Sequence, residues 1–236
     1  IDAIILAAGQ GTRMKSNKSK VLHQLGGKSL LQHIIDAIKP LSTSINIVIG
    51  NDDKQIRNSI NSHSINWVVQ KKQLGTGHAV QQAITYINDK STCIILYGDV
   101  PSIKTSTLKM LINKSKQTGF SLLSVFQNDP TGYGRIIRNS NHAIQSIVEQ
   151  NDANNKEREI NEINTGIMAV QGSLLNKYIT QLEPNNSQGE LYLTDIVKIA
   201  VKDNVTISSL VCDNVSEVMG INNKNQLAEA ERIYQQ

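Results

Sequence analysis

The chain has 236 residues, 39% of them apolar, with 24 Lys and Arg against 20 Asp and Glu. That is enough chain to bury a core without disulfide or metal staples. The net charge of +4 comes with only 4% aromatics and no block of like charges, so nucleic-acid binding is not expected. No run approaches the roughly 18 apolar residues of a membrane span, and no signal-peptide pattern opens the chain. With two cysteines in no metal-like spacing, a reducing, cytoplasmic setting is expected. The missing initial Met reads as loss or trimming of the first residues.

In chain order, short apolar runs predict strands at 3–8, 45–50, 66–70 and 93–98. Between and after them, helical periodicity predicts helices at about 28–39, 52–61, 75–88 and 104–117. This alternation calls for a parallel sheet with helices on both faces, and the unbroken runs at 3–8 and 93–98 mark the central strands. The second half predicts a hairpin from "GYGRIIR" and "HAIQSIVEQ", then a strand in "NEINTGIMAV". Helices follow near 172–182 and 190–201, a last strand pair near 205–209 and 215–219, and a terminal helix at about 222–236. One compact α/β unit results, its second half partly antiparallel, with ligands expected at the carboxyl ends of the strands.

Gly9 and Gly11 in "LAAGQGTRM" directly follow the first strand, where glycine lets backbone amides curl round an anion. The G-K-[ST] ending of a P-loop is absent, and Met14 stands where a dinucleotide motif needs its third glycine. A tight turn alone would explain the glycines. Arg13 and Lys20 add a planar fork and a point charge suited to a triphosphate. In "ILYGDVP", Asp99 follows the fourth strand; it reads either as a turn or capping aspartate or as a Mg²⁺ ligand. "QLGTGHAV" places Gly75 and Thr76 before a helix, where they either cap it or face a ligand. His78 reads as a helix residue, and no serine nucleophile elbow occurs. Gly132, Gly134, Glu149, Asn164 and Gly166 offer carboxylate and amide groups of the kind that bond sugar hydroxyls. "VMGINN" puts Asn222 at a strand end as a second possible metal ligand.

Together "LAAGQGTRM", "KVLHQLGGKSLL", "QLGTGHA", "YGDVP", "GYGRI", "IVEQ", "EINTGI", "NNSQGELYLTDIV" and "GINN" resemble, in order, the motifs of the sugar-phosphate nucleotidyltransferases. Within them the resemblance is to the uridyltransferase domains of the bacterial N-acetylglucosamine-1-phosphate uridyltransferases. It implies a Rossmann-like, mixed, mostly parallel sheet with helices on both faces. The implied reaction is transfer of UMP from UTP to N-acetylglucosamine-1-phosphate with Mg²⁺. Alternatives are a related enzyme for another base or sugar and a non-catalytic UDP-sugar-binding module. Leu6, Ala7, Ala8 and Gly9 would line the nucleotide, with Arg13 and Lys20 on its phosphates. Gln70, Gly75 and Thr76 would read the base. Tyr97, Gly98 and Asp99 would flank ribose and metal, Asp99 and Asn222 would share Mg²⁺, and Gly134, Glu149, Asn164 and Asn222 would hold product. Ser19 and Ser29 stand where the family has proline and Ser102 where it has leucine, and the loss of proline before Lys20 is expected to loosen that turn. Residues 1–221 would form the catalytic unit and 222–236 the start of a linker. The family's full-length enzymes trimerise through a C-terminal β-helix that acetylates glucosamine-1-phosphate. No hexapeptide repeats occur here, so that activity is not expected.

Overall fold

The computed structural model describes residues 1–50, 54–60 and 65–235. The chain enters through β1 (Asp2–Leu6), whose residues have no polar face to offer water. Ala3 and Ile5 pack into one apolar cluster and Ile4 into another, so both faces of the strand are buried. A small hairpin, β2 (Gln24–Leu25) and β3 (Lys28–Ser29), precedes α1 (Leu30–Ile38). Leu30, Leu31, Ile34, Ile35 and Ile38 form the buried stripe of α1, and the Ser29 hydroxyl caps it by accepting from the Gln32 amide at 3.2 Å. Then come β4 (Ser44–Ile49), α2 (Lys54–Ser59), β5 (Ile65–Val69), α3 (Thr76–Ala83) and β6 (Thr92–Tyr97). Residues 52, 53 and 61 of the expected second helix lie outside the described residues. The helix expected over 75–88 ends at Ala83 and continues as a 3-10 turn, Ile84–Tyr86.

Next come α4 (Thr105–Thr118) and β7 (Phe120–Phe126), a strand the sequence reading left unassigned. Its apolar run is interrupted by Ser121 and Ser124, which are fully buried. Their hydroxyls are satisfied inside, donating to Leu111 O at 2.8 Å and Glu162 Oε1 at 2.7 Å. The expected hairpin is present as β8 (Arg135–Arg138) and β9 (Ile144–Val148), followed by α5 (Asn155–Arg158) and the long β10 (Glu162–Gln171). The chain continues through α6 (Gly172–Ile179), α7 (Asp195–Lys202), β11 (Ser208–Cys212), α8 (Val215–Val218) and α9 (Lys224–Tyr234). The expected strand pair near 205–209 and 215–219 is corrected: one strand forms, and 215–218 is helical because Asn214 Oδ1 accepts from the Ser216 amide and caps the turn. Asn222 therefore does not sit at a strand end.

The main sheet runs β11-β7-β10-β6-β1-β4-β5, with the β8–β9 hairpin attached to the first half of β10. Every path neighbour pairs in parallel except β10, which is antiparallel to both β6 and β7. As expected, β1 and β6 lie at the centre. Residues of α1 and α4 cover one face of the sheet, and those of α3, α6 and α7 the other. The terminal α9 packs Leu227 and Ala230 on Leu25, Leu30 and Ile221.

The start of α6 shows how tightly the layers fit. The Gly172 amide donates to Ser91 O at 2.8 Å, and a Cβ on Gly172 would lie 2.1 Å from Asn88 O. A backbone carbonyl cannot yield as a flexible side chain does. Gly172→Ala is therefore expected to cost about 2–3 kcal/mol, read as a lower urea midpoint; an unchanged midpoint would contradict this packing.

Candidate active site

The parallel register pairs Leu6 with Tyr97, so the chain leaves β1 and β6 side by side at their carboxyl ends. The glycine loop after β1 is pinned by Met14, which is fully buried. Gly11 adopts φ 60°, and a Cβ there would lie 2.6 Å from Lys20 Cβ; only glycine lets the Lys20 backbone cross so close. Ser19 has φ −52° and ψ 138°, within proline's own range, so the turn before Lys20 keeps its shape without the family's proline.

Four side chains from three distant segments meet here. The Lys20 ammonium forms an ion pair with the Asp99 carboxylate and donates to Asn222 Oδ1 at 3.1 Å. Arg13 Nη2 donates to the same Asn222 oxygen at 3.1 Å. Asn222 is delivered by the Ile221 amide, which donates to Asp99 O at 2.8 Å. The Lys20 and Asp99 side chains are only 14% and 16% exposed, so the pair is largely withdrawn from solvent screening. Among the described residues no group of three or more His, Cys, Asp or Glu forms a metal cluster. One carboxylate and one amide oxygen, both already turned to a single cation, nevertheless fit a hard divalent ion that takes few protein ligands.

A cleft of about 240 Å³ runs beside this cluster. Of the expected nucleotide residues, Leu6, Ala7, Ala8, Gly9, Lys20, Gln70, Gly75, Thr76, Tyr97 and Asp99 line it. Gly98 does not; its amide donates to Leu6 O at 2.8 Å and its missing Cβ admits Val21 and Ala7. Gln70 Nε2 donates to Gly75 O at 3.1 Å and meets His78 Nδ1 at 3.0 Å, which fixes the side chain under the cleft. A polar cavity of about 550 Å³, with Lys18 and Lys71 in its wall, shares Ala8, Gly9, Gln70 and Gln73 with the cleft.

Glu190 also lines the cleft, and the residues after it are bonded to the 74–77 segment. Leu191 N donates to Leu74 O and Gly77 N to Leu191 O, both at 2.8 Å, while Leu193 N donates to Thr76 Oγ1 at 3.1 Å. Gly75, at φ 105°, leaves the room: a Cβ would lie 2.6 Å from Leu191 O. This explains why the helix expected from 190 begins only at Asp195, since Leu191 and Leu193 are committed to bonds with residues 74–77.

A smaller cavity of about 140 Å³ shares Tyr97 and Asp99 and reaches Tyr133, Thr165 and Asn222. Gly134, Glu149 and Asn164 are close neighbours of one another but line neither cavity. A Cβ on Gly134 would lie 3.2 Å from Glu149 Oε2, and the Asn164 amide donates to Gly134 O at 2.8 Å. Asn164 Oδ1 accepts from the Gly166 amide at 3.1 Å, and Gly166 at φ 83° makes room for the Tyr97 ring. Burial pushes the Glu149 carboxyl above its usual range; a hydrogen bond from Thr194 Oγ1 at 3.0 Å opposes this, and Asp195 and Asp152 reinforce it. Desolvation, with Glu149 and Asp99 nearby, likewise pushes the Tyr97 phenol up.

Sequence reasoning missed two contributors. Gln73 Nε2 donates to Ala8 O at 2.6 Å and ties the 70–77 segment to the glycine loop. Thr194 holds Glu149 as described; it lay inside the quoted "GELYLTDIV" without a role, and only its place in that motif could have flagged it.

The sequence profile described as the MobA-like NTP transferase domain matches residues 3–160. A protein named bifunctional protein GlmU from Vesicomyosocius okutanii is 57% identical over the whole chain, and one of the same name from Marinobacter nauticus is 45% identical. The chain spans about half the length of these curated relatives, 52% in each case. Among solved structures, a putative glucose-1-phosphate thymidylyltransferase from Bacillus anthracis superposes with TM-score 0.78 at 21% identity, covering 99% of this chain and 95% of its own. A UDP-glucose pyrophosphorylase superposes with TM-score 0.80 at 17% identity, covering 99% and 98%; at such identities both speak for the fold. By its profile match, its sheet order and its glycine loop, the chain belongs to the MobA-like NTP transferase domain family.

Proposed function

We propose that the chain transfers UMP from UTP to N-acetylglucosamine-1-phosphate, giving UDP-N-acetylglucosamine and pyrophosphate. The observation that carries this reading is the meeting of Arg13, Lys20, Asp99 and Asn222 beside the cleft. The full-length identity to proteins named GlmU supports the choice of substrates.

In this reading the uracil lies against Gln70, Gly75 and Thr76, and the triphosphate follows the loop from Ala7 to Gly11. Backbone amides, Arg13 and Lys20 meet its charge. Asp99 and Asn222 would hold Mg²⁺, which when bound neutralises phosphate charge. With those oxygens given to the ion, the Lys20 ammonium would be available to the phosphates. Glu149, Asn164 and the Gly134 backbone hold the N-acetyl sugar. One oxygen of the sugar phosphate attacks the α-phosphorus in line; the bond from that phosphorus to the bridging oxygen breaks and pyrophosphate leaves with the electron pair. The attacking phosphate is already ionised near neutral pH, so neither a protein nucleophile nor a general base is needed. Positioning and charge stabilisation carry the reaction.

Asp99→Asn keeps an oxygen for Lys20, and Arg13 is exposed, so neither Asp99→Asn nor Arg13→Ala is expected to disturb folding. Each is expected to lower kcat by about 10²–10³-fold or more, measured as pyrophosphate release with Mg²⁺. Wild-type turnover in a folded variant, or turnover confined to another nucleotide and sugar phosphate, would overturn the assignment.

Glu149 gives a second expectation. Its folded pKa is raised, so between the ordinary carboxylate value and that raised value the folded protein holds a proton the unfolded chain has lost. Its contribution to stability is therefore most favourable at low pH and falls as pH rises through this window. Sugar binding runs the other way, because the ionised carboxylate is the better acceptor. Glu149→Gln should flatten both trends relative to wild type, in thermal melts and in the KM of the sugar phosphate. Asp195, also raised by burial, leaves a residual slope of the same sign in stability.

A further inference from the structure

Arg135 opens β8 with its residue only 1% exposed, yet among the described residues no carboxylate stands within ion-pair distance of it. Its guanidinium is met by neutral oxygens instead. Nη1 donates to Tyr133 O; Nη2 donates to Gln150 Oε1 at 2.8 Å and more weakly to Arg158 O at 3.4 Å. Nε is buried with no partner among the described residues. Burial, with Arg158 nearby, pulls its pKa down, and Asp129 only partly offsets this. A desolvated cation with neutral partners and an orphaned donor is a poor contributor to stability, and an apolar side chain would fill the same space at lower cost.

Its bonds instead have a common destination. Tyr133 immediately precedes Gly134, and Gln150 immediately follows Glu149. Gln150 Oε1 also accepts from the Gly132 amide at 3.1 Å, so the loop before Gly134 is tied to the turn after Glu149 twice over. The two residues thus clamped are the ones with almost no slack between them: the Cβ position of Gly134 is 3.2 Å from Glu149 Oε2. A planar fork can hold two oxygens at a fixed angle, which an ammonium cannot.

We propose that Arg135 is a positioning residue for the sugar half of the site, setting the spacing between the Tyr133–Gly134 backbone and the Glu149 carboxylate without touching either substrate. This rests on the reading that Gly134 and Glu149 receive the sugar. Gln150 is its relay. The nucleotide cleft lacks any bond to the guanidinium, so the effect is confined to one substrate.

The test compares Arg135→Lys, which keeps the charge but loses the fork, and Gln150→Ala, at a half-buried position, with wild type. Both should raise the KM for N-acetylglucosamine-1-phosphate by about tenfold or more and leave that for UTP within about twofold. Hydrogen exchange should quicken at 132–134 and 150–153 and stay unchanged at 74–77. Parallel rises in both KM values, or unchanged exchange and unchanged KM, would overturn the proposal. Should Arg135→Lys fail to fold, Gln150→Ala decides alone. If the wild-type chain does not use this sugar phosphate, the functional reading fails, and the exchange pattern still judges the clamp: local loosening upholds it, and unchanged or global exchange refutes it.

Discussion

The site depends on the register between β1 and β6. Leu6 opposite Tyr97, continued by the hydrogen bond from Gly98 to Leu6 O, sets the glycine loop beside Asp99. A slip of one residue would exchange the faces of one strand relative to the other, for instance sending Ile4 of β1 into the cluster that now holds Ile5 and Leu96. With both faces buried by different helices, the cost of that exchange falls on the whole core. Gly98 is the local expression of the constraint, because a side chain there would strike Val21 and Ala7 where the two chain ends part.

Given that register, electrostatics joins the remaining pieces. Asp99 is fixed at the end of a rigid strand, and Lys20 reaches it from a turn held by buried Val21 and Leu22. Asn222 arrives from more than 200 residues away in sequence through the Ile221–Asp99 backbone bond. An ion pair this withdrawn from water returns little net stability, because desolvation offsets most of the attraction. Its value lies in arrangement: two oxygens that accept one cation here can accept another, and the lysine and arginine so gathered are then free for phosphate.

What was legible in the sequence follows from how each feature is encoded. Strands buried on both faces announce themselves as unbroken apolar runs, so β1 and β6 could be placed, and the glycine-rich loop after β1 was visible as a local pattern. β7 was missed because Ser121 and Ser124 break its run, and their burial depends on Leu111 and Glu162, which are distant in sequence or on another strand. The run at 215–219 misled in the other direction, since a single capping Asn214 turned it into a helix. The contacts that assemble the site, Lys20 to Asn222, Gln73 to Ala8 and Thr194 to Glu149, exist only once the sheet has closed. No local pattern records them.

The segment 190–195 shows what such closure achieves. Leu193 gives its amide to Thr76 in the cleft, and Thr194, the next residue, gives its hydroxyl to Glu149. Consecutive Cα atoms are about 3.8 Å apart across a trans peptide. Thr76 and Glu149 are therefore held to one another through a single peptide unit rather than through the long path of the sheet. In the reaction proposed here, a transfer between two bound molecules gains most when both are held in one frame before they react. Placing the anchors of base and sugar on adjacent residues of one strap supplies that frame with no moving part between them.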